Sequence, residues 1–278
     1  MITGLPEQPS MQSPHGSVLE YISPSRLNCW LACGLKFKLT YIDGLQSPTT
    51  PSLFLGKQVH SGLERLYRYR QLGIAPDIAD LSRQIRQSWE SAVNEEGIQF
   101  ENVAEEQALQ RQTIDLVAAY TRQMPADEPR PLAVEASVDA VLVDPFNGEN
   151  LGIPLLGIMD LVLDGPEGPG IVDFKTTARS SDPLEVTHEV QLSSYAWLFR
   201  QVQGRREAGL EIRSLIKTKV PRIEVHRYES RTERHFRRLF ALIRAYLDDV
   251  DAGRFVFRPG FHCGMCDFCA TECRAWAG

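Results

Sequence analysis

Apolar residues recur every three or four positions through the first half of the chain and every second position through much of the rest, so the pattern predicts helices first and a sheet afterwards. Ser23-Pro24-Ser25 reads as a helix start. Leu27, Trp30, Leu31, Leu35 and Leu39 continue at helical spacing over 26–39, with Cys29 and Cys33 one turn apart. Further helices are expected over about 54–69, 78–94 and 103–122, the first with His60 and Glu64 on one face. A β-rich run over 132–142, containing Glu135, reads as the first strand. A hairpin follows, then a helix over about 184–202 that places Gln191 and Tyr195 on one face. Strands at 210–217 and 222–228 and a basic helix at about 232–249 complete the pattern. This order predicts an α/β or α+β fold, with a mixed central sheet flanked by helices. Residues 1–17, rich in Pro, Ser, Gln and Gly, read as a disordered tail. Residues 18–278 read as one domain, made of a helical region (18–130), a sheet-containing core (131–250) and a cysteine-rich end (251–278).

The hairpin carries the most chemistry. Its arms are 158–163 and 171–175, and 164–170 between them is turn composition. Alternation puts Met159, Leu161, Leu163, Val172 and Phe174 on an apolar face and Asp160, Asp173 and Lys175 on the other, provided that Asp160 pairs opposite 173 or 175. Two acids at that spacing can hold a hard divalent cation such as Mg²⁺, and a neighbouring ammonium can stabilise charge developing on a phosphate.

At 278 residues, with 43% hydrophobic and 24% charged content, the chain has the composition of a soluble globular protein. No apolar run is long enough to span a membrane and no signal-like leader is visible, so no membrane partner and a cytoplasmic location are expected. The net charge of −6 hides a division. Residues 76–110 hold eight acids against two arginines, whereas 200–238 hold twelve Lys or Arg against five Glu, so the two stretches read either as oppositely charged solvated faces or as marking the latter as the side a phosphate backbone approaches.

Cys263, Cys266, Cys269 and Cys273 fall within eleven residues. In a reducing compartment such spacing favours a metal over disulfides, and both zinc and an iron–sulfur cluster suit four thiolates.

Together these motifs resemble the PD-(D/E)XK nuclease superfamily, in particular its RecB-like group of helicase–nuclease subunits and the iron–sulfur exonucleases of CRISPR adaptation. The resemblance spans about 21–275. It rests on Ser23-Pro-Ser-Arg-Leu27 leading to Cys33, Gly56-Lys-Gln-Val-His60 with Glu64, Gly157-Ile-Met-Asp160, Asp173-Phe-Lys175, Gln191-Leu-Ser-Ser-Tyr195 and the terminal cysteines, in that order.

The resemblance implies a restriction-endonuclease-like core. It implies that His60, Asp160, Asp173 and the main-chain carbonyl of Phe174 hold Mg²⁺ or Mn²⁺, that Lys175 serves the attacking water, and that Gln191 and Tyr195 brace the site and the DNA. It also implies a [4Fe–4S] cluster on Cys33, Cys263, Cys266 and Cys273, with Cys269 as alternative ligand. The family's terminal run is Cys-x₂-Cys-x₅-Cys, whereas six residues separate Cys266 from Cys273 here. A self-contained zinc knot of Cys263, Cys266, Cys269 and Cys273 stays open. The implied activity is a metal-dependent deoxyribonuclease, an exonuclease acting on ends or single strands in recombination, repair or CRISPR adaptation. A catalytically silent DNA clamp within a helicase–nuclease complex is the alternative. The chain has no phosphate-binding Gly-x₄-Gly-Lys-Ser/Thr loop, so unwinding would come from a helicase or CRISPR adaptation partner in trans.

Overall fold

The structure, a computed structural model, describes residues 20–180 and 185–276. The expected tail at 1–17 and the start of the helix expected from Leu184 lie outside the described residues. Five helices open the chain: α1 (Pro24–Ala32), α2 (Gly34–Phe37), α3 (Pro51–Gln71), α4 (Ile78–Glu96) and α5 (Val103–Gln123). Strands β1 (Pro131–Val143), β2 (Asn150–Gly165) and β3 (Gly168–Thr177) follow, then α6 (Glu185–Gln203), β4 (Gly209–Ile216), β5 (Arg222–Glu229), α7 (Glu233–Asp251) and α8 (Glu272–Ala275). The strands form one sheet in sequence order, antiparallel except for the β3–β4 pair, whose parallel crossover is α6. This is the expected mixed sheet flanked by helices.

Both faces of the sheet are covered. Helices α3, α4 and α5 share one apolar core with Val134, Leu161, Leu163, Val172, Phe174 and Leu215. Helices α1, α6 and α7 share another with Met159, Val162, Ile171, Leu210 and Ile212. The hairpin is therefore apolar on two sides, and Met159 packs apart from the other four residues expected on its face. Asp160 and Asp173, expected on the face opposite the apolar residues, are buried.

The turn is also tighter than its composition suggests. Gly165 pairs with Gly168, leaving only Pro166 and Glu167 as the loop. β2 begins eight residues before the expected arm, and its free early edge is closed by Ile22, which exchanges hydrogen bonds of 2.8 Å with Pro154 and Leu156.

The helix expected over 26–39 does not run through. It stops at Cys33, which is extended (φ −162°, ψ 115°), and resumes at Gly34. Here tertiary contact overrides the leucine spacing. Leu35 donates its N–H to Val256 O at 3.2 Å, and a Cβ on residue 34 would stand 3.0 Å from that same oxygen. The break leaves Cys33 facing the C-terminal cysteines.

Candidate active site

Three strands bring one acid each to a common level. Val134 pairs with Leu161 and Ala136 with Met159, which brackets Glu135 opposite Asp160. Leu161 pairs with Val172, so Asp160 and Asp173 come next across β2 and β3. The β2–β3 ladder ends there, and Asp160 Oδ2 instead accepts the Phe174 N–H at 2.7 Å. In a strand the N–H and C=O of one residue point the same way, so the Phe174 carbonyl faces this fork. The ring of Phe174 stacks on Tyr67 at 5.9 Å and meets Tyr120 edge-on at 5.5 Å, which anchors the strand from behind.

Lys175 and Gln191 organise the Asp173 side. The Lys175 ammonium donates to Gln191 Oε1 at 3.0 Å, while Gln191 Nε2 donates to Asp173 Oδ1 at 2.8 Å and to the Tyr195 hydroxyl at 2.9 Å. Every polar atom of the Gln191 amide is thus used. Asp173 Oδ2 forms an ion pair with Lys175 Nζ at 2.7 Å. Burial pushes the Asp173 carboxyl up, with Lys175 opposing and the Asp160 charge adding to the rise. Burial, reinforced by the Asp173 charge, likewise raises the Tyr195 hydroxyl and keeps it protonated. Gly157 is what lets α6 come this close, because a Cβ there would stand 2.8 Å from Leu198 and 3.2 Å from the Tyr195 ring.

His60 enters from α3, with Nδ1 3.6 Å from Asp160 Oδ2. Burial lowers its basicity, but the hydrogen bond and charge of Asp160, with Asp173 and Glu135 beyond, outweigh that and raise it. One ligand atom each from His60, Glu135 and Asp160 lies within 4.8 Å of the others, so these three could hold a metal ion. Asp173 is outside that group. Glu64 lines the same cleft but is bonded to Arg68 at 3.1 Å. The cleft, about 1150 Å³, also exposes Lys175, Gln191 and Tyr195.

Glu135 is the site residue whose role sequence reasoning missed. Its signal was slight, a lone acid on a strand. It also sits in the left-handed region at φ 46°, and among the described residues it is the sole non-glycine with positive φ. Burial and the Asp160 charge push its carboxyl up to about 7, with His60 opposing.

The family model of the PD-(D/E)XK nuclease superfamily matches residues 21–273. The chain belongs to the PD-(D/E)XK nuclease superfamily. Among solved structures, a protein from Eubacterium rectale described as "Putative exonuclease" aligns with TM-score 0.62 at 16% identity, covering 96% of this chain and 93% of that one. The structure of SSO0001 aligns at 12% identity over 86% of this chain and 91% of that one, with TM-score 0.37. No curated protein matches.

In this nuclease the cysteine-rich end forms one wall of the cleft through Gly264, Met265, Cys266 and Asp267. Behind that wall, Cys33, Cys263, Cys266, Cys269 and Cys273 line a single small cavity of about 30 Å³, closed by Leu35, Leu39 and Phe268. Cys29 is not among them, and burial raises its thiol to about 11, against the pull of Lys36. Backbone N–H groups of Arg258 and Gly260 point at the sulfurs of Cys33 and Cys263, both at 3.4 Å.

The basic stretch at 200–238 lies outside the lining of the cleft. None of its twelve cations lines the cleft, and Arg200, Arg213, Arg227, Arg231, Arg237 and Arg238 pair with acids of this chain. Among the described residues, no helix is long and apolar enough to cross a membrane.

Proposed function

We propose that this nuclease hydrolyses DNA with Mg²⁺ or Mn²⁺ held at the fork between β2 and β3, working from strand ends as an exonuclease. The observation that carries the reading is the gathering of His60, Glu135 and Asp160 in one cleft, with one ligand atom of each within 4.8 Å of the others and the buried Asp173–Lys175 pair beside them. Carboxylate oxygens, a main-chain carbonyl and one imidazole form a donor set that suits such an ion. When bound, the cation supplies Lewis-acid polarisation of the phosphodiester and a water of lowered pKa.

The chain's own residues supply position and charge. His60, Asp160, Asp173 and the Phe174 carbonyl would hold the ion. Lys175, about one-third exposed (31%), presents an ammonium to the cleft, where it offsets negative charge building on the phosphate or orients the attacking water. Gln191 fixes Lys175 and Asp173 relative to each other, and Tyr195 buttresses Gln191. The exonuclease assignment leans on the description of the Eubacterium rectale neighbour and on the cysteine-rich wall that narrows the cleft.

The cysteine-lined cavity is read as the seat of a [4Fe–4S] cluster on Cys33, Cys263, Cys266 and Cys273, with Cys269 competing for the last place. The two N–H···S contacts and the apolar lid suit metal-bound thiolates. Such a cluster would join the two ends of the chain beside the cleft. A zinc knot is the alternative, and it would not need Cys33.

The test is to incubate anaerobically purified protein with end-labelled single- and double-stranded DNA, and with RNA, in Mn²⁺ or EDTA. A metal-dependent ladder shortening from an end supports the proposal. Intact DNA in Mn²⁺ overturns it, and internal cuts alone overturn the exonuclease part.

A further inference from the structure

We propose that Gly56 is a substrate-binding position, where the sugar–phosphate backbone of an unpaired strand packs on the bare backbone of α3. The inference rests on the nuclease reading above and names how this chain holds the strand. Glycine is a poorer helix former than every residue except proline, so a glycine inside a helix needs a reason. Helix α3 contains two. At Gly62 the reason is packing, because a Cβ there would stand 2.7 Å from Val117 Cγ2 and 3.3 Å from Ile85 Cδ1. At Gly56 the chain supplies none. It lies in the helix interior without a positive φ, and a Cβ there would meet no atom within 4 Å. Gly56 nevertheless lines the cleft one turn before His60, so the open space above it belongs to the site. What a side chain at 56 would obstruct is therefore the occupant of the cleft.

Two other features of the cleft say what kind of strand fits it. Leu53, one turn before Gly56, and Met265, from the cysteine-rich wall, both line the cleft and are 54% and 85% exposed. Apolar side chains in a cleft otherwise rich in charge are covered by bases whose faces are free, and a duplex hides those faces within its stack. The polarizable thioether of Met265 also makes favourable contacts with aromatic rings. On the phosphate side, Lys217 donates to Ser52 Oγ at 2.9 Å, again one turn before Gly56. Ser52 is a neutral partner, so the lysine keeps its charge for a phosphate. Bases against Leu53 and Met265 and phosphates toward Lys217 put the strand's backbone over Gly56, on its way to the acids beyond His60.

The test reads binding apart from cleavage. Fluorescence anisotropy of labelled oligothymidine is followed in EDTA with wild type, Gly56→Ala and Gly56→Leu, and each protein is melted. Both replacements favour a helix over glycine, so melting temperatures should match or exceed that of wild type. Affinity should nonetheless fall roughly tenfold for Ala and further for Leu, the cost of forcing atoms into a filled contact. Met265→Ala should weaken oligothymidine about 2- to 10-fold and leave an abasic oligomer of the same length bound as before. Gly56 variants that bind like wild type, or that melt below it, overturn the role of Gly56, and the nuclease reading stands as long as wild type cuts DNA in Mn²⁺. Equal loss on the abasic oligomer, or tighter binding of wild type to a blunt duplex than to oligothymidine, overturns the unpaired strand. Wild type that cuts in Mn²⁺ without binding oligothymidine overturns this inference alone. Wild type that neither binds nor cuts overturns both readings.

Discussion

Lys175 and Asp173, two positions apart on one strand, place ammonium and carboxylate 2.7 Å from each other, and Gln191 bridges them. In a purely structural ion pair, removing the lysine would alter stability and little else. Here the ammonium also reaches the cleft. Lys175→Ala is therefore expected to lower single-turnover cleavage by roughly 10²-fold or more, with DNA and Mn²⁺ affinities within a few-fold of wild type. Cleavage at the wild-type rate would reduce the pair to packing.

Gln191 touches both members of that pair, so it acts as a positioning residue. Gln191→Ala frees Lys175 and strips a donor from Asp173 Oδ1. Turnover should fall by about 10- to 100-fold, the range for losing a partner that orients a metal ligand, with DNA affinity unchanged. An effect on DNA affinity alone would move Gln191 from the site to the binding surface.

The break at Cys33 separates the two cysteine assignments. Cys33→Ser should remove the brown colour and the visible charge-transfer absorption of anaerobically purified protein, whereas Cys29→Ser should leave both. Colourless wild-type protein carrying one zinc per chain would replace the cluster with the zinc knot.

Behind Phe174 lies a buried polar network. Glu128 takes hydrogen bonds from Arg213, Arg70 and Tyr67, and Tyr67 and Tyr120 share a hydrogen bond while packing on the Phe174 ring. Glu128→Gln leaves two arginines short of a buried partner charge. Stability should fall by about 3 kcal/mol, read as a lower urea midpoint at unchanged slope. A change under about 0.5 kcal/mol, the size of a surface substitution, would show that the network does not support the strand.

What the sequence showed and what it concealed divide along local and non-local lines. The acids of the hairpin were legible because Asp160, Asp173 and Lys175 interrupt apolar runs whose alternation is a local property. The early half of β2 was hidden by Gly152 and Pro154, which read as turn residues inside a strand that Ile22 completes from far away in sequence. The break at Cys33 was invisible because Leu31, Leu35 and Leu39 keep helical spacing through it, and only Val256 imposes the stop. Glu135 was seen only as part of a strand, since its role depends on a register with β2 set 25 residues later and on a backbone angle no spacing reveals. The basic stretch was legible only as a charge count. A charge count cannot show that Arg213 or Arg231 already has an internal partner.

The role of Asp160 is central, because it accepts the Phe174 N–H, lies 3.6 Å from His60 and stands between Glu135 and Asp173. The most direct measurement is cleavage of end-labelled DNA by wild type and Asp160→Ala across a Mn²⁺ titration, with metal binding followed in parallel. Wild type should cut with Mn²⁺ and stop with EDTA, while Asp160→Ala should bind Mn²⁺ more weakly and leave the DNA intact at every concentration. Asp160→Ala cutting as fast as wild type at saturating Mn²⁺ would contradict it.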